Sequence, residues 1–261
     1  MDLGLDGRRA IVTGASKGIG LAITRRLVAE GVSVVTGSRG ETPQLKELVT
    51  AGSVTAVAVD LTSPQGPAEL VAAALDAGPV DILVNNAGGV TPRTDGFLTV
   101  SDEDWWHSLQ LTFMTAVRTT RCVLPHMLER EKGVILNTAS VNSTLPDPLV
   151  IDYSAAKAAL ASFSKALSKE VGPRGIRVNS VAPGPVSTDL WLGDSGVAAT
   201  LSGVTGDRPE EIAQSAVQGT ATGRFTTPEE VADLLVFLAS DRAANITGAD
   251  YLIDGGLTQT M

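Results

Sequence analysis

Tyr153 and Lys157 stand four residues apart in a segment where Ala156, Leu160, Phe163 and Leu167 recur at helical spacing. That places both polar side chains on one helix face. A free phenol, with a pKa of about 10, is a poor base at neutral pH. An adjacent ammonium favours the phenolate, so Lys157 is expected to lower the Tyr153 pKa toward the working range. Ser140, thirteen residues before Tyr153, can hydrogen-bond a substrate oxygen on which charge develops. A proton carrier and an oxygen-binding hydroxyl suit interconversion of a carbonyl and an alcohol, provided a bound cofactor carries the hydride.

Near the start of the chain, Thr13-Gly14-Ala15-Ser16-Lys17-Gly18-Ile19-Gly20 joins a β-branched run to a helical pattern. Glycines at 14, 18 and 20 permit a tight turn, close approach of backbone to a diphosphate, and close helix–strand packing. The helix start adds free N–H groups and the positive end of its dipole. An acid about 20 residues beyond such a loop commonly binds the ribose 2′-hydroxyl and selects NAD. Here the second strand ends in Ser38-Arg39. With no carboxylate to repel a 2′-phosphate, and with Arg39 and Lys17 able to bond it, NADP is expected over NAD.

The loop spacing is Thr-Gly-x-x-x-Gly-x-Gly, and with it the chain resembles the short-chain dehydrogenase/reductase family, in its 3-oxoacyl-(acyl carrier protein) reductase-like branch. Asn85-Asn86-Ala87-Gly88 matches the family's second signature, Tyr153-Ser154-Ala155-Ala156-Lys157 its Tyr-x-x-x-Lys, and Pro183-Gly184-Pro185-Val186-Ser187-Thr188 its nicotinamide-side segment. These stand in family order over nearly the whole chain. The resemblance implies that Gly14, Ser16, Lys17, Gly18, Ile19 and Gly20 cradle the diphosphate, with Ser38 and Arg39 at the adenosine ribose. Asp60 and Leu61 then lie beside the adenine, and Asn86, Ala87 and Gly88 support the cofactor. Tyr153 and Lys157 reach the nicotinamide ribose, and Pro183, Gly184, Val186 and Thr188 the nicotinamide. One departure stands out. Thr112 occupies the position where relatives usually carry an asparagine that holds a helix distortion and a relay water. Threonine can bond back to a carbonyl one turn earlier and bend a helix, so Thr112 is expected to preserve the water site through its backbone and to join Ser140, Tyr153 and Lys157 in catalysis.

These residues need rigid elements to position them. Strands are expected at 10–13, 33–36, 54–59, 81–84, 134–136, 176–181 and 251–253, alternating with helices at 19–30, 44–50, 68–76, 102–130, 152–171 and 228–240. Apolar strands separated by helices specify a parallel sheet covered on both faces. Right-handed crossovers then make it an α/β, Rossmann-type, doubly wound sheet of three layers. Ser101 and Asp104 read as a capping box for the long 102–130 helix, which Pro125 should bend or end. Residues 188–226, rich in glycine and threonine with one weak helical signal at 209–218, read as a lid over the substrate. With no linker or repeat, residues 1–261 form one domain.

Composition narrows the classes further. Twenty-nine acidic against twenty basic side chains give a net charge of −9 with no basic stripe, so no nucleic acid partner is expected. A single cysteine, Cys122, excludes an intrachain disulfide and fits a reducing compartment. No metal site is expected, and no apolar stretch approaches the roughly 18 residues of a membrane span. The reading is a cytoplasmic enzyme with a small-molecule carbonyl or alcohol substrate. The resemblance implies a homotetramer or homodimer, with the 231–238 helix and the 250–256 strand available for such packing. A weakly catalytic NADP-binding regulator, and dehydratase, isomerase or dehalogenase chemistry on the same scaffold, stay open. Trp105 and Trp106 are read as anchors of the long helix and Cys122 as a core side chain, while His107 and His126 receive no role. Leu145, Pro146, Val150, Trp191 and Leu192 are candidates for the substrate wall.

Overall fold

Every strand of the sheet runs parallel to its neighbours, in the order β3-β2-β1-β4-β5-β6-β7. The structure is a computed structural model and describes residues 2–259. The strands are β1 Arg9–Thr13, β2 Ser33–Ser38, β3 Val54–Ala58, β4 Ile82–Asn85, β5 Gly133–Thr138, β6 Ile176–Pro183 and β7 Asp250–Ile253. Between them lie α1 Gly18–Ala29, α2 Pro43–Thr50, α3 Gly66–Asp76, α4 Asp102–Ser108, α5 Thr115–Glu129 and α6 Ile151–Val171. After β6 come α7 Asp189–Leu192, α8 Val197–Thr205, α9 Pro209–Gln218 and α10 Pro228–Ala239. The α/β doubly wound fold read from the sequence is the fold found.

The two-residue period of each strand divides its side chains between two cores. Ala10, Val12, Val34, Ile82, Val84 and Leu136 pack with α1 and α10 on one face. Their neighbours Ile11, Val35, Leu83 and Ile135 pack with α3, α5 and α6 on the other. Strands buried on both faces must be apolar throughout, which is why they read as continuous runs. The order reverses between β1 and β4, since β1 leads outward to β2 while β4 leads to β5. Connections leave these strands in opposite directions and open a crevice at their carboxyl ends.

The expected 102–130 helix is not continuous. It begins with the capping box, where Ser101 accepts from Asp104 N and Asp104 accepts from Ser101 N. Residues Leu109–Met114 then form a π-helical turn before α5 resumes. Thr115 reaches back to the Gln110 carbonyl at 3.0 Å and lies 3.1 Å from the Leu61 carbonyl. Its hydroxyl holds the widened turn and ties it to the loop after β3. Pro125 sits inside α5, one turn from its end. Trp106 is no anchor; it is 64% exposed. The 188–226 segment holds α7 and α8 as well as the expected α9, because Gly196 and Gly206 bracket a short apolar helix whose period the threonines obscured. Among the described residues no helix is long and apolar enough to cross a membrane.

Candidate active site

The glycine loop after β1 is pressed against the segment that follows β4. Gly14 and Gly18 adopt φ of 66° and 55°, left-handed values that favour glycine. A Cβ on Gly14 would lie 2.8 Å from Ala87 Cα, and one on Gly20 would lie 2.3 Å from Gly14 O. The backbone N–H groups of Asn86 and Ala87 both donate to Thr13 Oγ1, at 2.9 and 3.0 Å. The Asn86 side-chain amide donates to Thr13 O and Gly14 O. The Asn-Asn-Ala-Gly signature thus acts as a buttress that fixes the loop from behind. Asn85 faces inward instead, donating to Thr120 Oγ1 and Asn137 Oδ1 under the sheet.

The same buttress reaches the helix that carries Tyr153 and Lys157. Thr138 Oγ1 donates to Asn86 Oδ1 at 3.3 Å, and Lys157 Nζ donates to Thr138 O at 2.5 Å. One polar chain therefore runs from Lys157 through Thr138 and Asn86 to Gly14. Lys157 is only 3% exposed, and burial lowers its pKa from 10.5 to about 8. Its Nζ sits 5.6 Å from the centre of the Tyr153 ring, over the face of the phenol. The expected lowering of the Tyr153 pKa is not found. Surrounding protein pushes the phenol up, with the Ser140 hydroxyl pulling the other way. The physical reason is placement: the ammonium faces the ring and bonds a carbonyl, while burial disfavours the phenolate.

Ser140 is oriented by a residue that sequence reasoning missed. Ser140 Oγ donates to Asn142 Oδ1 at 3.1 Å and accepts from Asn142 N at 3.2 Å. The Asn142 amide donates in turn to Ser154 Oγ at 3.4 Å, beside Tyr153 on α6. The Ser-x-Asn spacing was its one signal, and that spacing is common in turns.

A cleft of about 1050 Å³ opens along the crevice. Ser140, Tyr153 and Lys157 line it, together with Gly14, Ser16, Lys17, Gly18, Ile19, Ser38, Arg39, Asp60, Leu61, Asn86, Ala87, Gly88, Pro183, Gly184, Val186 and Thr188. Gly20 does not; it packs the helix against the loop. Thr112 does not either. It is 1% exposed, and its hydroxyl has no hydrogen-bond partner among the described residues. The expected bond back along the helix is absent, because the π turn leaves that task to Thr115. Yet a Cβ on Gly88 would find Lys157 Nζ at 3.7 Å and Thr112 Oγ1 at 3.9 Å, so the idle hydroxyl and the ammonium flank one backbone position.

Arg39 is exposed beside Ser38, whose hydroxyl donates to Gly40 O. Lys17 stands 3.8 Å from Asp189 at the start of α7, joining the glycine loop to the segment beyond β6. Asp60 accepts from Thr62 N and Oγ1 through one oxygen, which holds its carboxyl below the usual range. Glycine backbone, a helix start, two cations and no acid at Ser38 are a donor set that fits a phosphorylated dinucleotide. Leu145, Pro146, Val150 and Trp191 line the cleft as expected, Leu192 does not, and His107, to which no role was given, does.

A family model described as Enoyl-(Acyl carrier protein) reductase matches residues 14–258. An uncharacterized oxidoreductase of Bacillus subtilis is 36% identical, with 100% of both chains covered. The 3-oxoacyl-(acyl-carrier-protein) reductase of Vibrio cholerae is 34% identical over 98% of this chain and 99% of its own. L-sorbose reductase from Gluconobacter frateurii, solved with NADPH and L-sorbose, superposes with a TM-score of 0.91 at 36% identity, covering 100% of both chains.

Proposed function

Because the chain belongs to the short-chain dehydrogenase/reductase family, whose members are NAD(P)-dependent dehydrogenases and reductases, we propose that it interconverts a ketone or aldehyde with the corresponding alcohol. NADP(H) is the carrier, Tyr153 the general acid and base, and the cytoplasm the place of work. The observation that carries the reading is the polar chain from Lys157 through Thr138 and Asn86 to the glycine loop, which ties the proton-handling residues to the cofactor cradle. A solved relative holding NADPH supports the choice of carrier, as do Arg39, Lys17 and the missing acid.

In this reading the bound nicotinamide supplies the hydride. Ser140 turns its one O–H from Asn142 Oδ1 to the substrate oxygen while the Asn142 N–H keeps the hydroxyl in place. Tyr153, a neutral phenol at neutral pH, gives that oxygen its proton in the reductive direction. Lys157, with its pKa near 8, can pass a proton at modest cost. Thr112 offers an unused hydroxyl beside Gly88 where a relay water can bind. Residues 188–226 act as the lid. Its two feet are laced together, with Ser187 N donating to Thr226 O and Thr226 N to Pro185 O. We also read the protein as a homotetramer or homodimer.

Tyr153→Phe is expected to reduce turnover by at least a thousandfold while NADPH binding, followed by nicotinamide fluorescence, changes less than threefold. Retained turnover would reject Tyr153. Equal kcat/KM with NADH and NADPH would reject the carrier. NADPH binding with no turnover on any carbonyl would turn the reading toward a cofactor-binding regulator.

A further inference from the structure

The cleft is electrically lopsided. Its cationic lining residues are Lys17, Arg39 and Lys157. The first two lie on the adenosine and phosphate side. Lys157 is buried and gives one of its N–H donors to the Thr138 carbonyl. On the far side of Tyr153, toward residues 145–150 and the lid, the lining carries no lysine or arginine. The ionisable groups there are the Asp147 carboxylate and the His107 imidazole, since Asp189 stands 3.8 Å from Lys17. Arg93, whose backbone N–H donates to Leu149 O in that wall, is already held by Asp104 and Asp152 with its side chain 12% exposed.

What the far side does present is apolar. Leu145, Leu149 and Leu190 line the cleft while 46%, 39% and 39% exposed. Val150, Trp191 and Leu201 continue the wall. Large side chains left facing water at a concave mouth favour a ligand that covers them. A carboxylate or phosphate entering the same space would lose its water, find no lysine or arginine and face the Asp147 carboxylate.

From this juxtaposition, and resting on the reductase reading above, we infer that the substrate is an uncharged ketone with an apolar body, or its secondary alcohol, taken free from solution. Keto acids, polyhydroxylated ketoses and acyl groups tethered to phosphate-bearing pantetheine are then poor substrates. Hydride from the reduced carrier forms the new C–H bond at the carbonyl carbon and the Tyr153 proton completes the hydroxyl, so the carrier is oxidised by two electrons as the ketone is reduced.

The test follows NADPH consumption by the full chain with 2-decanone, 9-oxodecanoate, 3-oxodecanoyl coenzyme A and a ketohexose. The expected kcat/KM for 2-decanone exceeds each of the others at least tenfold. Leu145→Arg, which sets a cation at the mouth, is expected to raise the ratio of 9-oxodecanoate to 2-decanone turnover at least tenfold. Equal or better use of the keto acid, the coenzyme A ester or the ketose by the parent protein overturns the inference while leaving the reductase reading intact. Should Leu145→Arg not fold, that parental ranking decides alone. NADPH binding with none of the four reduced overturns both.

Discussion

Burial moves the Lys157 pKa from 10.5 to about 8, so between those values the unfolded chain holds a proton that the folded chain has released. Stability therefore rises with pH across that window, and below it the folded state carries a penalty of at most about 3 kcal/mol. Lys157→Met removes the penalty. The variant is expected to melt above the parent at pH 7, the difference shrinking as pH climbs from 8 to 10.5, with turnover lost. A variant that melts lower at pH 7 would show that the Thr138 bond outweighs the buried charge. Tyr153 and Lys157 were legible as a pair because residues four apart share a helix face. The direction of the phenol's shift was not, because it depends on whether the ammonium meets the hydroxyl or the ring.

Between elements, Asp152 makes the tightest joint. It is 1% exposed in the first turn of α6. It accepts from Arg93 Nε at 3.2 Å, Arg93 Nη2 at 2.5 Å and Ser108 Oγ at 2.6 Å. Arg93 also donates to Asp104, and its N–H to Leu149 O. The segment after β4, α4 and the start of α6 are thereby joined next to Tyr153. Burial opposes the Asp152 charge, but Arg93 and Ser108 outweigh it and hold the carboxyl below its usual range. Asp152→Asn strips Arg93 of its buried partner, and a loss of about 3 kcal/mol is expected. In a chain this size that is roughly 6 °C of Tm. A carboxyl depressed in the fold stabilises above its unfolded pKa of about 3.9 and loses that effect as pH falls through the folded value. The gap between parent and variant should close in acid, and a gap unchanged at pH 3 would contradict the pairing. The π turn makes a second element-scale prediction. If Thr112 holds the relay water through its hydroxyl, Thr112→Val should lower kcat at least tenfold with KM for NADPH little changed, and Thr112→Asn should retain activity. Thr112→Asn far faster than the parent would instead mean that the threonine impairs the relay.

At the scale of the molecule, α10 spends most of its apolar side chains within the chain. Val231, Leu235 and Leu238 are 0% exposed within the chain, spent on the core that α1 and α10 share. Leu234 and Phe237, only partly buried, are what that helix leaves for subunit packing. What remains at the sheet's end is β7, an edge strand carrying Leu252 at 46% exposure. An unpaired edge with an exposed apolar side chain is a site for a second copy. If the homo-oligomer forms there, Leu252→Glu should lower the mass measured by light scattering at micromolar concentration, with the circular dichroism spectrum unchanged. An unaltered mass places the interface elsewhere.

The sequence alone determined the succession of the seven strands, the two-faced burial of the sheet, the glycine cradle and the Tyr-x-x-x-Lys pair. Each of these depends on spacing within one element or across one turn, which a period of two or 3.6 residues makes visible. Tertiary structure decided the rest. It set Lys157 against the phenol's face, gave the bond to Gln110 to Thr115 and left Thr112 idle. It also enlisted Asn142 and His107 at the cleft, and buried α10 while leaving β7 open. Those outcomes depend on which side chains from distant elements arrive first at a shared atom, and on how much water is left around it. Neither is written in the order of residues along one strand or helix.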